Sequence, residues 1–153
     1  LKKVSKKITK KLIKEKIIIV NSFFKKFLGF KPRIGVVGLN PHCESILKHN
    51  EDTEIILLVV NSLRKNFLVK GPIPSDTIFL KNNRKNFDVI IGMYHDQVLT
   101  PIKTLYEYDA INITIGLPFL RVTPDHGPNE IMVGKNKSNP LSLIKAISFL
   151  DKK

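Results

Sequence analysis

Four histidines, His42, His49, His95 and His126, are the side chains best suited to hold a divalent cation, because a neutral imidazole is the commonest protein ligand for such ions. His49 stands in the polar run Lys48-His49-Asn50-Glu51 and reads as a solvated side chain. His42, His95 and His126 each lie among Gly, Pro, Asp or Asn, so loops place them. Any one of these alone reads more readily as a satisfied loop histidine than as a ligand. His42 and His95, however, each follow a short apolar run, which makes a shared ligand role a real alternative. Asp76 and Asp96 are candidate carboxylates to orient ligating imidazoles. A second constellation could bind an anion. Asn112 is a lone polar residue in Ile111-Asn112-Ile113, where burial would oblige it to find partners. Arg121 follows the apolar Leu117–Leu120 and could grip a phosphate or carboxylate through its planar fork. An internal salt bridge with Asp125 or Asp96 would explain it equally well. Lys103 carries no signal of its own in so lysine-rich a chain. No Gly-x-Gly-x-x-Gly follows a strand, and no phosphate-binding P-loop occurs.

Positioning these residues requires an ordered scaffold. Residues 2–29 read as one or two amphipathic helices, with Val4, Ile8, Leu12, Phe23 and Phe27 inward, ended by Lys31-Pro32-Arg33. Ile34–Val37 reads as a buried strand left through Gly38–His42. Asp52–Asn66 is helical in pattern. Gly71–Thr77, with two prolines and a glycine, reads as an ordered loop outside regular structure. Asp88–Gly92 is a second strand, left through Met93–Gln97, and Ala110–Ile115 a third. Pro140–Leu150 reads as a helix with Leu141, Leu143, Ile144, Ile147 and Leu150 mostly inward. Helices alternating with short apolar strands indicate an α/β fold with a largely parallel sheet, although mixed strand directions are compatible with the pattern. Ligands of such sheets collect beyond the carboxyl ends of the strands. The loops of His42 and His95 both leave a strand at that end.

Composition narrows the function. The 153 residues suffice for one compact domain, and 42% are apolar, as in a folded chain. The longest apolar run, Ile55–Val60, is far short of the roughly 20 residues that span a bilayer. The basic opening Leu1–Lys16 has apolar residues at helical spacing and no small-residue cleavage site after Ile17–Val20, so it reads as a surface helix. Cys43 is the single cysteine, which suits a reducing, cytoplasmic setting. The net charge of +13 invites a nucleic-acid reading, but only Arg33, Arg64, Arg84 and Arg121 could make bidentate phosphate contacts. Solvated lysines on a Lys-, Asn- and Ile-rich chain account for the sum, and no nucleic-acid or membrane partner is expected.

Five segments together resemble the 4-hydroxythreonine-4-phosphate dehydrogenase family. They are Gly38–His42, Gly71–Phe79, Met93–Gln97, Asn112–Arg121 and Asp125–Gly127, in the family's order along the chain. The resemblance implies an isocitrate/isopropylmalate dehydrogenase-like α/β fold, a sheet flanked by helices, and a homodimer with a shared active site. It also implies that residues 1–153 are one C-terminal portion of the dehydrogenase, a fragment with the N-terminal portion absent and a third metal histidine lying just before Leu1. His42 and His95 match metal-binding histidines (zinc, magnesium or cobalt). Lys103, Asn112 and Arg121 match contacts to the phosphorylated amino-acid substrate. His126 and Gly127, followed by Asn139-Pro140, resemble the loop that binds NAD. The implied reaction oxidises and decarboxylates 4-phosphooxy-L-threonine to 3-amino-2-oxopropyl phosphate in vitamin B6 synthesis. The alternative is an inactive remnant acting as a binding or assembly module. Three departures stand out: Cys43-Glu44-Ser45-Ile46 replaces a glycine-rich segment, Pro128-Asn129 replaces small residues, and Val98 replaces a glycine, implying strain if φ is positive there.

Overall fold

The structure, a computed structural model, describes residues 3–43, 50–128 and 130–151. His49, the segment 44–46 and Asn129 therefore lie outside the described residues. Contacts group the chain into two compact units, Leu1–Leu99 and Thr100–Lys153.

The first unit opens with helix α1 (Val4–Lys7) and helix α2 (Lys10–Phe23), which runs on into a π-helical turn, Phe24–Leu28. Thr9 separates the helices: its hydroxyl accepts the Leu12 N–H at 3.2 Å as an N-cap. This cap restarts the helical phase and corrects the expected stripe. Leu12 is exposed, and Ile13, Ile17 and Asn21 turn inward at four-residue spacing. Gly29, at φ 79°, ends the helix before Pro32 is reached.

Strands β1 (Ile34–Val37), β2 (Val69–Ile73) and β3 (Val89–Ile91) form a parallel sheet in the order β2-β1-β3. All four residues of β1 are buried, as the central strand requires. β2 is a correction to the sequence reading, because Gly71 and Pro72 lie inside it. The strand tolerates them because it is an edge and its register with β1 slips between Gly35 and Val37, a bulge that absorbs the proline. Helix α3 (Leu57–Leu63) continues a π-helical turn, Asp52–Ile56. Ile56, Val59, Val60 and Leu63 join Ile13, Ile17, Ile34, Val36 and Val69 in one core. A short helix α4 (Lys81–Arg84) precedes β3.

Helix α5 (His95–Tyr106) begins in the first unit and ends in the second. Pro101 inside it removes a hydrogen-bond donor, which obscures the helix in the sequence. Val98 has no positive φ, so the strain anticipated from the missing glycine is absent; its side chain instead fills the space where a Cβ on Gly92 would approach Cγ1 to 2.8 Å.

In the second unit, β4 (Ile111–Thr114) pairs antiparallel with β5 (Arg121–Pro124). The third expected strand thus forms, in a separate hairpin-like pair rather than in the parallel sheet. A 3-10 turn, Glu130–Met132, precedes helix α6 (Leu141–Asp151), which packs on β4 and β5. The inward face of α6 is not the expected one: Ser142 and Ala146 are buried, whereas Leu143, Ile144, Ile147 and Leu150 are exposed. Among the described residues, no helix is long and apolar enough to cross a membrane.

Candidate active site

The parallel order of the first sheet brings the carboxyl ends of β1, β2 and β3 to one edge, and the loops leaving that edge carry His42, Asp76 and His95. Asp76 Oδ2 lies 3.0 Å from His42 Nδ1, and Asp96 Oδ1 lies 2.7 Å from His95 Nδ1. A carboxylate on Nδ1 fixes the tautomer and turns the Nε2 lone pair outward, which is the usual support of a ligating imidazole. All four side chains are solvent-accessible. Among the described residues, no three His, Cys, Asp or Glu side chains group so as to hold a metal ion. Each imidazole–carboxylate pair has the donor chemistry that suits a divalent ion.

Two residues given no role by sequence reasoning hold these loops in place. Asp52, 2% exposed, accepts the N–H groups of Leu39 (2.6 Å) and Asn40 (3.1 Å). Asn40 Oδ1 in turn accepts the His42 N–H at 3.1 Å, and the Pro41 carbonyl accepts the Ser75 N–H at 2.9 Å. Gln97 is buried and bridges two loops: Nε2 donates to the Gly38 carbonyl at 2.8 Å, and Oε1 accepts the Met93 N–H at 2.7 Å. One amide therefore couples the turn after β1 to the turn after β3. Asp52 looked like an ordinary acid at a helix start, and Gln97 like any polar residue of its motif. Gly38 must lack a side chain, since a Cβ there would meet Cys43 Sγ at 2.6 Å and Asp52 Oδ1 at 3.0 Å. Burial first, then the charge of Asp52, pushes the Cys43 thiol up to about 11.

The second unit places the anion-binding candidates. Register pairs Asn112 with Thr123 and Thr114 with Arg121, so the two candidates Asn112 and Arg121 share one face of the β4–β5 pair. Asn112 is exposed, which corrects the expectation of a buried amide in need of partners: a two-stranded sheet leaves one face to solvent. Arg121 Nη1 donates to Thr114 Oγ1 at 2.8 Å. Neither carboxylate considered for it is its partner here. Asp125 Oδ2 pairs with Lys103 Nζ at 2.9 Å, the Asp125 carbonyl also accepts from Lys103, and Asp96 serves His95. Among the described residues the Arg121 guanidinium has no carboxylate and stays available to an anion. His126 and Gly127 line a cleft of about 270 Å³ together with Tyr108, Pro128, Ser138 and Asn139. A Cβ on Gly127 would meet nothing within 4 Å.

This fold and its loops define an α/β protein whose parallel-strand ends carry polar side chains. The chain belongs to the family described as pyridoxal phosphate biosynthetic protein PdxA, whose family model matches residues 1–150. It is 43% identical over 152 residues to the 4-hydroxythreonine-4-phosphate dehydrogenase of Sulfurihydrogenibium sp., covering 97% of this chain and 47% of that relative. It is 43% identical over 146 residues to the same enzyme of Bradyrhizobium diazoefficiens, covering 93% and 42%. Among solved structures, the Klebsiella pneumoniae 4-hydroxythreonine-4-phosphate dehydrogenase superposes with a TM-score of 0.82 at 33% identity, over 99% of this chain and 47% of that one. The chain spans about half the length of the curated relatives it matches.

Proposed function

We propose that these residues supply the metal-holding and anion-gripping half of a 4-hydroxythreonine-4-phosphate dehydrogenase. The proposed reaction is NAD-dependent oxidation and decarboxylation of 4-phosphooxy-L-threonine to 3-amino-2-oxopropyl phosphate, in a cytoplasmic homodimer with a shared active site. One observation carries the reading: at a single sheet edge, His42 and His95 each present an imidazole whose Nδ1 is held by its own carboxylate.

His42 and His95 would hold a divalent ion (zinc, magnesium or cobalt), which would supply Lewis-acid polarisation of a substrate oxygen. Asp76 and Asp96 keep each imidazole in the tautomer that leaves Nε2 free to bind. Arg121 meets the substrate phosphate or carboxylate with its fork, and Asn112 on the same face adds a neutral hydrogen bond. Lys103 spends part of its donor capacity on Asp125 and offers the remainder to the same anion. His126 and Gly127 bind the cofactor at the cleft they line. The absence of crowding around Gly127 is compatible with a ligand pressed against its backbone.

Completing the chain with the N-terminal portion of a relative and substituting His95→Ala tests the reading. Metal-dependent oxidation of the substrate should be abolished. Turnover equal to that of the unsubstituted enzyme would remove the metal role of His95.

A further inference from the structure

The first unit has a cleft at the opposite end of its sheet from His42 and His95. It measures about 390 Å³, and its walls include Arg33, Arg64, Phe67, Leu68, Lys70 and Phe87. These residues gather at the amino ends of the parallel strands. Arg33 precedes β1, Leu68 and Lys70 flank Val69 at the start of β2, and Phe87 stands two residues before β3.

The walls are held in place before any ligand arrives. The Leu68 carbonyl accepts the Ile34 N–H at 2.7 Å, and the Arg33 carbonyl accepts the Asp88 N–H at 2.9 Å, so the three strand starts are tied together. Phe67 packs against the hydrophobic core. Phe87 lies against Gly35, where an added Cβ would meet its ring at 3.1 Å. Both rings are half-buried, and Leu68 is 51% exposed. A preformed apolar wall lowers the ordering cost of binding.

Charge at this cleft is one-sided: three cations line it, and no Asp or Glu does. Asp88 engages Nε and Nη2 of Arg33, which leaves Nη1 outside that pair. Arg64 and Lys70 have no carboxylate partner among the described residues. The lysine excess of the chain does not explain the pattern, because two of its only four arginines meet here. Arginine is the side chain whose planar fork matches a phosphate.

We propose that this cleft is a binding site for a small, single-ring aromatic molecule that carries a phosphate. The ring lies against Phe67, Phe87 and Leu68, and the phosphate meets the Arg64 fork, with Lys70 and Arg33 Nη1 supplying further charge. A phosphate offers up to two charges and three acceptor oxygens, so it answers three cations more fully than a carboxylate does. The volume lies at the low end of the roughly 300–1,000 Å³ of small-molecule pockets, which suits one ring better than a nucleotide. The inference is independent of the metal chemistry and of the reaction proposed above.

Titration calorimetry of the 153-residue chain with phenyl phosphate, inorganic phosphate and AMP tests it. Phenyl phosphate should bind at one site, at least tenfold more tightly than inorganic phosphate and more tightly than AMP. Arg64→Ala and Lys70→Ala, both at exposed side chains, should each weaken it at least fivefold. Backbone amide NMR signals of residues 67–70 and 86–87 should shift on adding phenyl phosphate, a readout of location that needs no variant. Equal affinity for inorganic phosphate would reduce the cleft to a patch that holds any anion and overturn the proposal. Tighter binding of AMP would overturn the single-ring assignment. Amide shifts confined to the β4–β5 pair, with binding lost in Arg121→Ala and kept in Arg64→Ala, would place the probe elsewhere and overturn it as well.

Discussion

His42 and His95 repeat one local device, an imidazole with Nδ1 on a neighbouring carboxylate, but they build it differently: Asp76 arrives from the loop after β2, and Asp96 is the next residue in the chain. Removing either carboxylate charge should weaken a bound ion without removing a ligand. Asp76→Asn is expected to lower divalent-ion affinity by roughly 10-fold, at the low end for supporting residues of metal sites. Titration calorimetry would measure it, and equal affinities would make the Asp76 contact incidental. Arg121, with no carboxylate among the described residues, should act on the substrate anion. Arg121→Ala in a completed enzyme should weaken substrate binding by about 1.5–3 kcal/mol, the range for a charged hydrogen bond, whereas an unchanged Michaelis constant would leave only its Thr114 contact. Cys43, held at about 11 by burial and Asp52, should alkylate slowly with iodoacetamide at pH 8 and progressively faster toward pH 11. Rapid labelling at neutral pH would contradict that environment. The histidines were legible in the sequence because imidazoles are scarce and their loops are rich in turn residues. Asp52 and Gln97 were not, since their roles exist only once three loops meet.

Between elements, Gln97 and Asp88 do the coupling. Gln97→Leu would strand the Gly38 carbonyl and the Met93 N–H, and should destabilise the first unit by about 2–4 kcal/mol in urea unfolding. A change within error would mean that water replaces the amide freely. Asp88 joins the starts of β1 and β3 by accepting from the Arg33 backbone and guanidinium at 2.8–3.0 Å, and that hydrogen bonding holds its carboxyl below the ordinary aspartate range. A depressed carboxyl contributes stability that is complete above its unfolded pKa and is lost as pH falls through the folded one. Acid unfolding should therefore steepen below the ordinary aspartate range, and Asp88→Asn should flatten that portion of the curve. Strands β1 and β3 were readable from apolar runs bounded by Gly, Pro and Asp. β2 was hidden by Gly71-Pro72, which only an edge position with a bulge accommodates. The stripe of α6 was assigned to a core because an apolar helical face normally has one. Here Leu143, Ile144, Ile147 and Leu150 are exposed, and Ser142 and Ala146 are buried instead.

At the scale of the molecule, the first unit carries His42 and His95, and the second carries Asn112, Arg121 and the cleft around His126. The chain belongs to the PdxA family, and the matched relatives are about twice the matched length. Two imidazole ligands alone should hold an ion weakly, because structural and catalytic sites use three or four. Cobalt(II) titration calorimetry on the chain, on His42→Ala and on His95→Ala, each alone and with the N-terminal portion of a relative, tests the central assignment directly. One weak site per chain should appear, tighten on completion, and vanish in either alanine variant. Binding that survives one substitution, or two independent sites lost separately, would show that His42 and His95 do not serve a common ion.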